Sequence, residues 1–122
     1  MRLSAVRIGA RDLREARDFY GSVLGLELTN DGIQYGYCIF VSSGIRIILD
    51  SVPPDAPEDE QAFVGRFTGV SFEVEDIGAE FRRMVTGGVH FVQAPEKQFW
   101  GGTLATFEDP SGNQLQLVQY AG

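Results

Sequence analysis

The stretch AVRIGARDLREARDFYGSVLGLEL, residues 5–28, reads as a strand that runs into a helix and leaves it as a second strand. Val6, Ile8 and Ala10 alternate as apolar residues do on a strand covered on one face. Asp12 then stands where a helix begins. Its carboxylate can accept from the unpaired N–H groups of the first turn, and Glu15 three residues on fits a capping box. Leu13, Ala16, Tyr20, Val23 and Leu24 recur at helical spacing, and Gly25 supplies the left-handed residue that ends a helix.

The same grammar returns 64 positions later. GVSFEVEDIGAEFRRMVTGGVHFV, residues 69–92, holds an alternating strand, Asp76 as the start signal, a helical face of Ile77, Phe81, Met84 and Val85, and a stop at Gly87-Gly88. Three strand-like stretches follow each helix. They fall near 26–31, 33–42 and 45–52 in the first copy and near 89–94, 102–108 and 113–120 in the second. The expectation is an α+β fold of two tandem βαβββ modules, 1–52 and 67–122, joined by the Pro- and acid-rich linker 53–66. One module is too small to bury its helix and sheet well, so 1–122 is read as a single domain.

Composition narrows the function. The net charge of −7 argues against nucleic acid, whose phosphates call for clustered Lys and Arg. No apolar run approaches the roughly 20 residues of a membrane helix, so no membrane partner is expected. The first strand begins without a basic-then-apolar leader, which makes cytoplasm the expected location. Cys38 is the only cysteine, so no disulfide can form within the chain; inside YGYCIFV it reads as a small core hydrophobe. The acidic run PPDAPEDEQ reads first as a solvated linker, and second as a lure for cationic ligands.

Alternation also assigns faces. With Ser43-Gly44 as a two-residue hairpin loop, Val41 pairs with Arg46, Ile39 with Ile48, and Tyr37 with Asp50. Cys38, Phe40, Ile45, Ile47 and Leu49 then face the helix. Arg7, Tyr35, Tyr37, Arg46, Ile48 and Asp50 face away from it. In the second module Ser71 and Glu73, with Gln114, Gln116 and Val118 of the last strand, share the corresponding open face. A slip of one residue would exchange every one of these assignments.

Two stretches carry a family resemblance. RDLREARDFYGSVLGLEL (11–28) resembles the first-module signature of the vicinal oxygen chelate superfamily. WGGTLATFEDPSGNQLQLVQ (100–119) is similar to its closing strand–turn–strand signature. That superfamily includes glyoxalase I, extradiol dioxygenases, epimerases and the fosfomycin and bleomycin resistance proteins. The resemblance implies an incomplete, cup-shaped mixed β-barrel, a homodimer, and a ligand cavity on the open sheet faces.

In metal-dependent members, the first and fourth strands of each module supply His and Glu ligands. Carried over by motif, those positions are Ala5, Ile48, Gly69 and Gln116. Methyl, sec-butyl, hydrogen and amide groups do not build a site for a divalent transition metal, so no metal and no cofactor are expected. His90, the single histidine, falls after the second helix and off these positions.

The candidate ligand-binding residues are therefore Arg7, Tyr35, Tyr37, Arg46, Asp50, Glu73, Trp100 and Gln116. Trp100, beside Gly101-Gly102, is read either as a stacking surface for a ligand or as loop packing. Arg7 and Arg46 either anchor a ligand anion or pair internally with Asp50 or Glu73. Gln116 either orients a ligand or is satisfied by its neighbours. Three functions follow in order. The first is a non-catalytic binder of a planar compound, similar to the metal-free bleomycin resistance proteins. The second is a metal-independent lyase or isomerase acting beside a carbonyl, with Asp50 or Glu73 as base and Arg7 or Arg46 holding the enolate. The third is a metal-dependent glyoxalase.

Overall fold

Both helices begin where their aspartates stand. In the computed structural model, which describes residues 1–122, Asp12 is extended and its side chain accepts from the Glu15 N–H at 3.1 Å. Asp76 does the same for Ala79 at 3.0 Å. The second helix, Ile77–Thr86, buries Ile77 and Met84. The first differs from the continuous helix its spacing suggests. Its α-helical part is Leu13–Asp18, and Phe19–Val23 widens into a π turn closed by the Leu24 N–H on the Phe19 carbonyl. The wider turn carries one extra residue, so adjacent Phe19 and Tyr20 both enter the core. Their rings meet edge to face at 5.5 Å, and Tyr20 continues to Phe40 at 6.2 Å.

Each module makes one four-stranded sheet. We number the strands β1 (Ala5–Ala10), β2 (Glu27–Gly32), β3 (Tyr37–Ser42), β4 (Ile45–Ser51), β5 (Phe67–Glu73), β6 (Phe91–Lys97), β7 (Thr103–Glu108) and β8 (Gln114–Gln119). The helices are α1 (Leu13–Asp18), α2 (Glu58–Gln61) and α3 (Ile77–Thr86). The sheet orders are β1-β4-β3-β2 and β5-β8-β7-β6, so the two modules share one topology. In each, the first strand runs parallel to the fourth. The α+β reading as two tandem βαβββ modules holds.

The first hairpin has the expected register: Val41 opposite Arg46, Ile39 opposite Ile48, and Tyr37 opposite Asp50. Ser43 and Gly44 have φ of 49° and 80°, the pair of positive values a tight turn between twisted strands needs. One expected strand is shorter. Ile33–Tyr35 forms a 3-10 turn between Gly32 and the left-handed Gly36, so Tyr35 is not a strand residue. In the second module β6 starts two residues late and runs on to Lys97, with its register broken twice on the way. Pro95 lacks an N–H, and an edge strand tolerates that gap.

The linker is not a free tether. The chain divides into two compact units, residues 1–66 with 110–112, and residues 67–109 with 113–122. Residues 53–66 therefore belong with the first module. The Gln61 amide donates to the carbonyls of Pro53, Pro54 and Ala56, which ties the segment into a compact turn around α2. The Phe63 carbonyl accepts from Gly9 N–H of β1 at 3.3 Å. Glu58, Asp59 and Glu60 remain exposed, so the acidic run is solvated on its outer side.

Gly9 gives a direct test of that seat. A Cβ there would lie 2.9 Å from the Phe63 carbonyl oxygen and 2.9 Å from Val64 Cγ2. Gly9 is not in a left-handed conformation, so alanine adds bulk without backbone strain. Gly9→Ala should therefore destabilise the fold by about 1–3 kcal/mol, the usual cost of overpacking. Urea unfolding checks this: the midpoint should fall while the slope stays constant, and an unchanged midpoint would show that the segment gives way freely.

Candidate functional site

In the first module, β1 and β4 bring Arg7 and Asp50 together. Arg7 Nε donates to Asp50 Oδ2 at 3.0 Å, and Nη2 donates to Oδ1 at 3.2 Å. This two-pronged geometry is the internal pairing that the sequence left as one of two options. The pair is largely exposed and adds little to stability. Its effect is chemical, because both Asp50 oxygens and two Arg7 donors are engaged with each other. The pair borders a hollow of about 330 Å³ lined also by Ile8, Gly9, Gly36, Val52, Glu60 and Phe63.

Tyr37 sits opposite Asp50 in the register, with its ring laid over Gly32, where any Cβ would collide with it. Tyr35 and Arg46 are not brought into this group. Tyr35 is 77% exposed on the 3-10 turn, because Gly36 ends the turn before the strand begins. Arg46 is exposed, with Nη1 3.5 Å from Ser4 Oγ. Sequence reasoning missed Glu60 and Phe63. The one signal available was an apolar Phe63 inside a polar linker.

In the second module, Gln116 of β8 lies opposite Ser71 of β5 on one side and Thr106 of β7 on the other. Ser71 Oγ donates to Gln116 Oε1 at 3.3 Å, and Gln116 Nε2 donates to Thr106 Oγ1 at 3.3 Å. Ser71 and Gln116 form the polar floor of a hollow of about 310 Å³ whose other lining is Trp100, Leu104, Val118 and Tyr120. No charged side chain lines it. Trp100 is 44% exposed and its ring centre is 6.0 Å from that of Tyr120, tilted by 47°. Glu73 is exposed, does not line the hollow and takes no arginine partner. Thr106 and Leu104 were missed because the faces of β7 were not assigned from sequence. The hairpin register would have given Thr106 from Gln116.

The four positions that the motif resemblance assigns to metal ligands carry side chains that do not fit a metal. Ala5, Ile48 and Gly69 offer no donor, and Gly69 falls at a register break of β5 with φ of 75°. Gln116 offers one neutral amide oxygen, a poor ligand by itself, and it also accepts from Ser71. Nowhere do three His, Cys, Asp or Glu side chains gather as a metal-binding group. His90 is exposed, with Nε2 3.4 Å from Glu108 Oε1, and lines neither hollow. Cys38 is buried, and burial, helped by the Asp31 carboxylate, pushes its thiol pKa up. That is the wrong direction for a nucleophile. No helix is long and apolar enough to cross a membrane.

The fold and this arrangement can be set beside known proteins. The sequence profile of the Glyoxalase/Bleomycin resistance protein/Dioxygenase superfamily matches residues 2–117. A protein of Shewanella frigidimarina is 30% identical over 132 aligned residues, covering 98% of this chain and 95% of its own. The crystal structure of a superfamily member from Sphaerobacter thermophilus superposes with a TM-score of 0.79 at 30% identity, over 98% of this chain and 97% of the other. TnmS3, an antibiotic binding protein from a Streptomyces strain, gives a TM-score of 0.74 at 25% identity, over 99% and 97% of the two chains. The repeated βαβββ topology, the two sequence signatures and these matches agree, and the chain belongs to the glyoxalase/bleomycin resistance protein/dioxygenase superfamily.

Proposed function

We propose that this protein binds a small organic molecule without a metal and sequesters it rather than converting it. The observation that carries the reading is Gln116. It stands where a metal-dependent relative places a carboxylate, and both ends of its amide are held by Ser71 and Thr106. An uncharged amide in that place favours recognition over Lewis-acid chemistry. TnmS3, similar in both sequence and fold, is itself an antibiotic binding protein.

The rival reading, a metal-independent lyase or isomerase, draws less support. Asp50 keeps further lone pairs, but each of its oxygens is bonded to Arg7, and that pairing counts against it as a base. Glu73 has no cation beside it to steady an enolate. A small-molecule site needs an apolar wall and a few fixed polar groups, which the second-module hollow supplies.

Elemental analysis of the purified, untagged protein should find nickel, zinc and iron well below one equivalent. Added metal should leave the melting temperature unchanged. A stoichiometric metal would overturn the reading. Light scattering is expected to give a homodimer, which would cover exposed sheet edges such as those of β2 and β6; a monomer mass at tens of micromolar would refute it.

A compound library screened by thermal shift should yield ligands that are recovered chemically unchanged. Such ligands should alter the emission of Trp100, the only tryptophan. Trp100→Ala should weaken them by about tenfold or less, and Trp100→Phe should keep most of the affinity. Hits that bind Trp100→Ala as tightly as the native protein, with unchanged emission, would move the site elsewhere.

A further inference from the structure

Trp100 does not stand free at its hollow. Its ring packs closely over Gly102, and any Cβ on Gly102 would collide with Cζ3, Cη2 and Cε3 of the ring. Gly102 is buried, and it is not in a left-handed conformation. Glycine here thus makes room for the ring in this position and does not answer a backbone need. One face of Trp100 is consumed by this seat. The ring remains 44% exposed, and it borders the hollow together with Tyr120. A side chain fixed in this way meets a ligand without first losing rotamer freedom.

The floor is polar and uncharged. The Ser71 hydroxyl spends its hydrogen on Gln116 Oε1, so toward the hollow Ser71 offers only lone pairs. Gln116 Nε2 spends one hydrogen on Thr106 and keeps a second. The floor therefore keeps acceptor lone pairs beside one free N–H, and it is uncharged. A charged ligand group placed there would lose water without gaining a counter-ion. A flat amide-like edge, with a carbonyl next to an N–H or O–H, satisfies both.

The geometry points to an uncharged, flat ligand that carries an adjacent acceptor and donor, stacked on the outward face of Trp100, with Gly102 as the residue that positions the ring. This deepens the proposed binding function and rests on it. It also departs from the cationic compound that the acidic composition suggests. The acidic residues 58–60 belong to the first unit, and no charged residue lines the second-module hollow.

The test uses three bicyclic probes of one size: 2-quinolone, a neutral lactam; naphthalen-2-ylmethylammonium, a cation; and 2-naphthoate, an anion. Because the chain has one tryptophan, the indole N–H gives a single nitrogen–proton NMR peak. 2-Quinolone should shift that peak saturably and bind about tenfold or more tightly than either charged probe. Gln116→Leu should reduce its affinity to that of plain naphthalene. Gly102→Ala should leave the rest of the spectrum folded, move the indole peak of the free protein and weaken 2-quinolone by about tenfold.

Different failures point to different errors. A charged probe that moves the indole peak and binds as tightly as 2-quinolone would overturn the ligand class while leaving the binding function standing. An unmoved indole and native affinity in Gly102→Ala would overturn the positioning role. If library hits move the indole peak but 2-quinolone does not, the inference falls and the binding function stands. If no library compound and no probe binds at all, both fall.

Discussion

Asp109 and Asn113 close the turn between β7 and β8 from inside the protein, and the chemistry of the second module depends on them. Asp109 Oδ1 accepts from the Asn113 backbone N–H at 3.0 Å, and Oδ2 accepts from the Asn113 side-chain amide at 3.0 Å. The Asp109 N–H returns a bond to the Asn113 carbonyl at 2.9 Å. Both residues are buried, so breaking these bonds is costly, on the order of 1 kcal/mol each. That cost fixes the hairpin register, with Thr106 opposite Gln116 and Phe107 opposite Leu115. A slip of one residue would drive Gln116 into the apolar core and turn Leu115 and Leu117 outward. The polar floor of the hollow exists because this clasp cannot slide.

The same logic explains what was legible in the sequence. The strands and faces around 37–50 could be read because a two-residue turn leaves only one register, and Ser43-Gly44 declared it. The capped helix starts could be read because Asp12 and Asp76 act on backbone groups two or three residues away. What escaped reading was set by longer-range packing. The π turn at Phe19–Val23 serves two aromatic rings that must both reach the core, and no local propensity asks for it. The linker reads as solvated because three acids stand in a row, yet its attachment comes from one backbone carbonyl, at Phe63, against a glycine of β1. Tyr35 was misplaced for a simpler reason. Gly32 and Gly36 bracket a turn that interrupts an otherwise strand-like run.

For the site, the resemblance located positions but not partners. Arg7, Asp50, Trp100 and Gln116 were named from alternation and motif, and each borders a hollow. Arg46 shares the open face by register, yet it stands opposite Ala5, at the far end of the strands from Asp50, and its side chain meets Ser4. Strand parity tells which face a Cα serves; it does not tell where a flexible side chain ends.

The two modules descend from one pattern, yet their hollows differ in chemistry. Position by position, Arg7 corresponds to Ser71, Ile48 to Gln116 and Asp50 to Val118, since Arg7 pairs with Ile48 as Ser71 does with Gln116. The first module thus carries its polarity as opposite charges that neutralise each other across neighbouring strands. The second carries it as neutral groups on a single row. A charge pair resists losing its water, because desolvation can cost more than the attraction returns. A row of hydroxyl and amide groups already bonded to one another loses little when a flat surface replaces water above it. Burial of a ligand is therefore cheaper over Gln116 than over Asp50. The loss of both charges together, Arg7 to Ser71 and Asp50 to Val118, is what moves the balance.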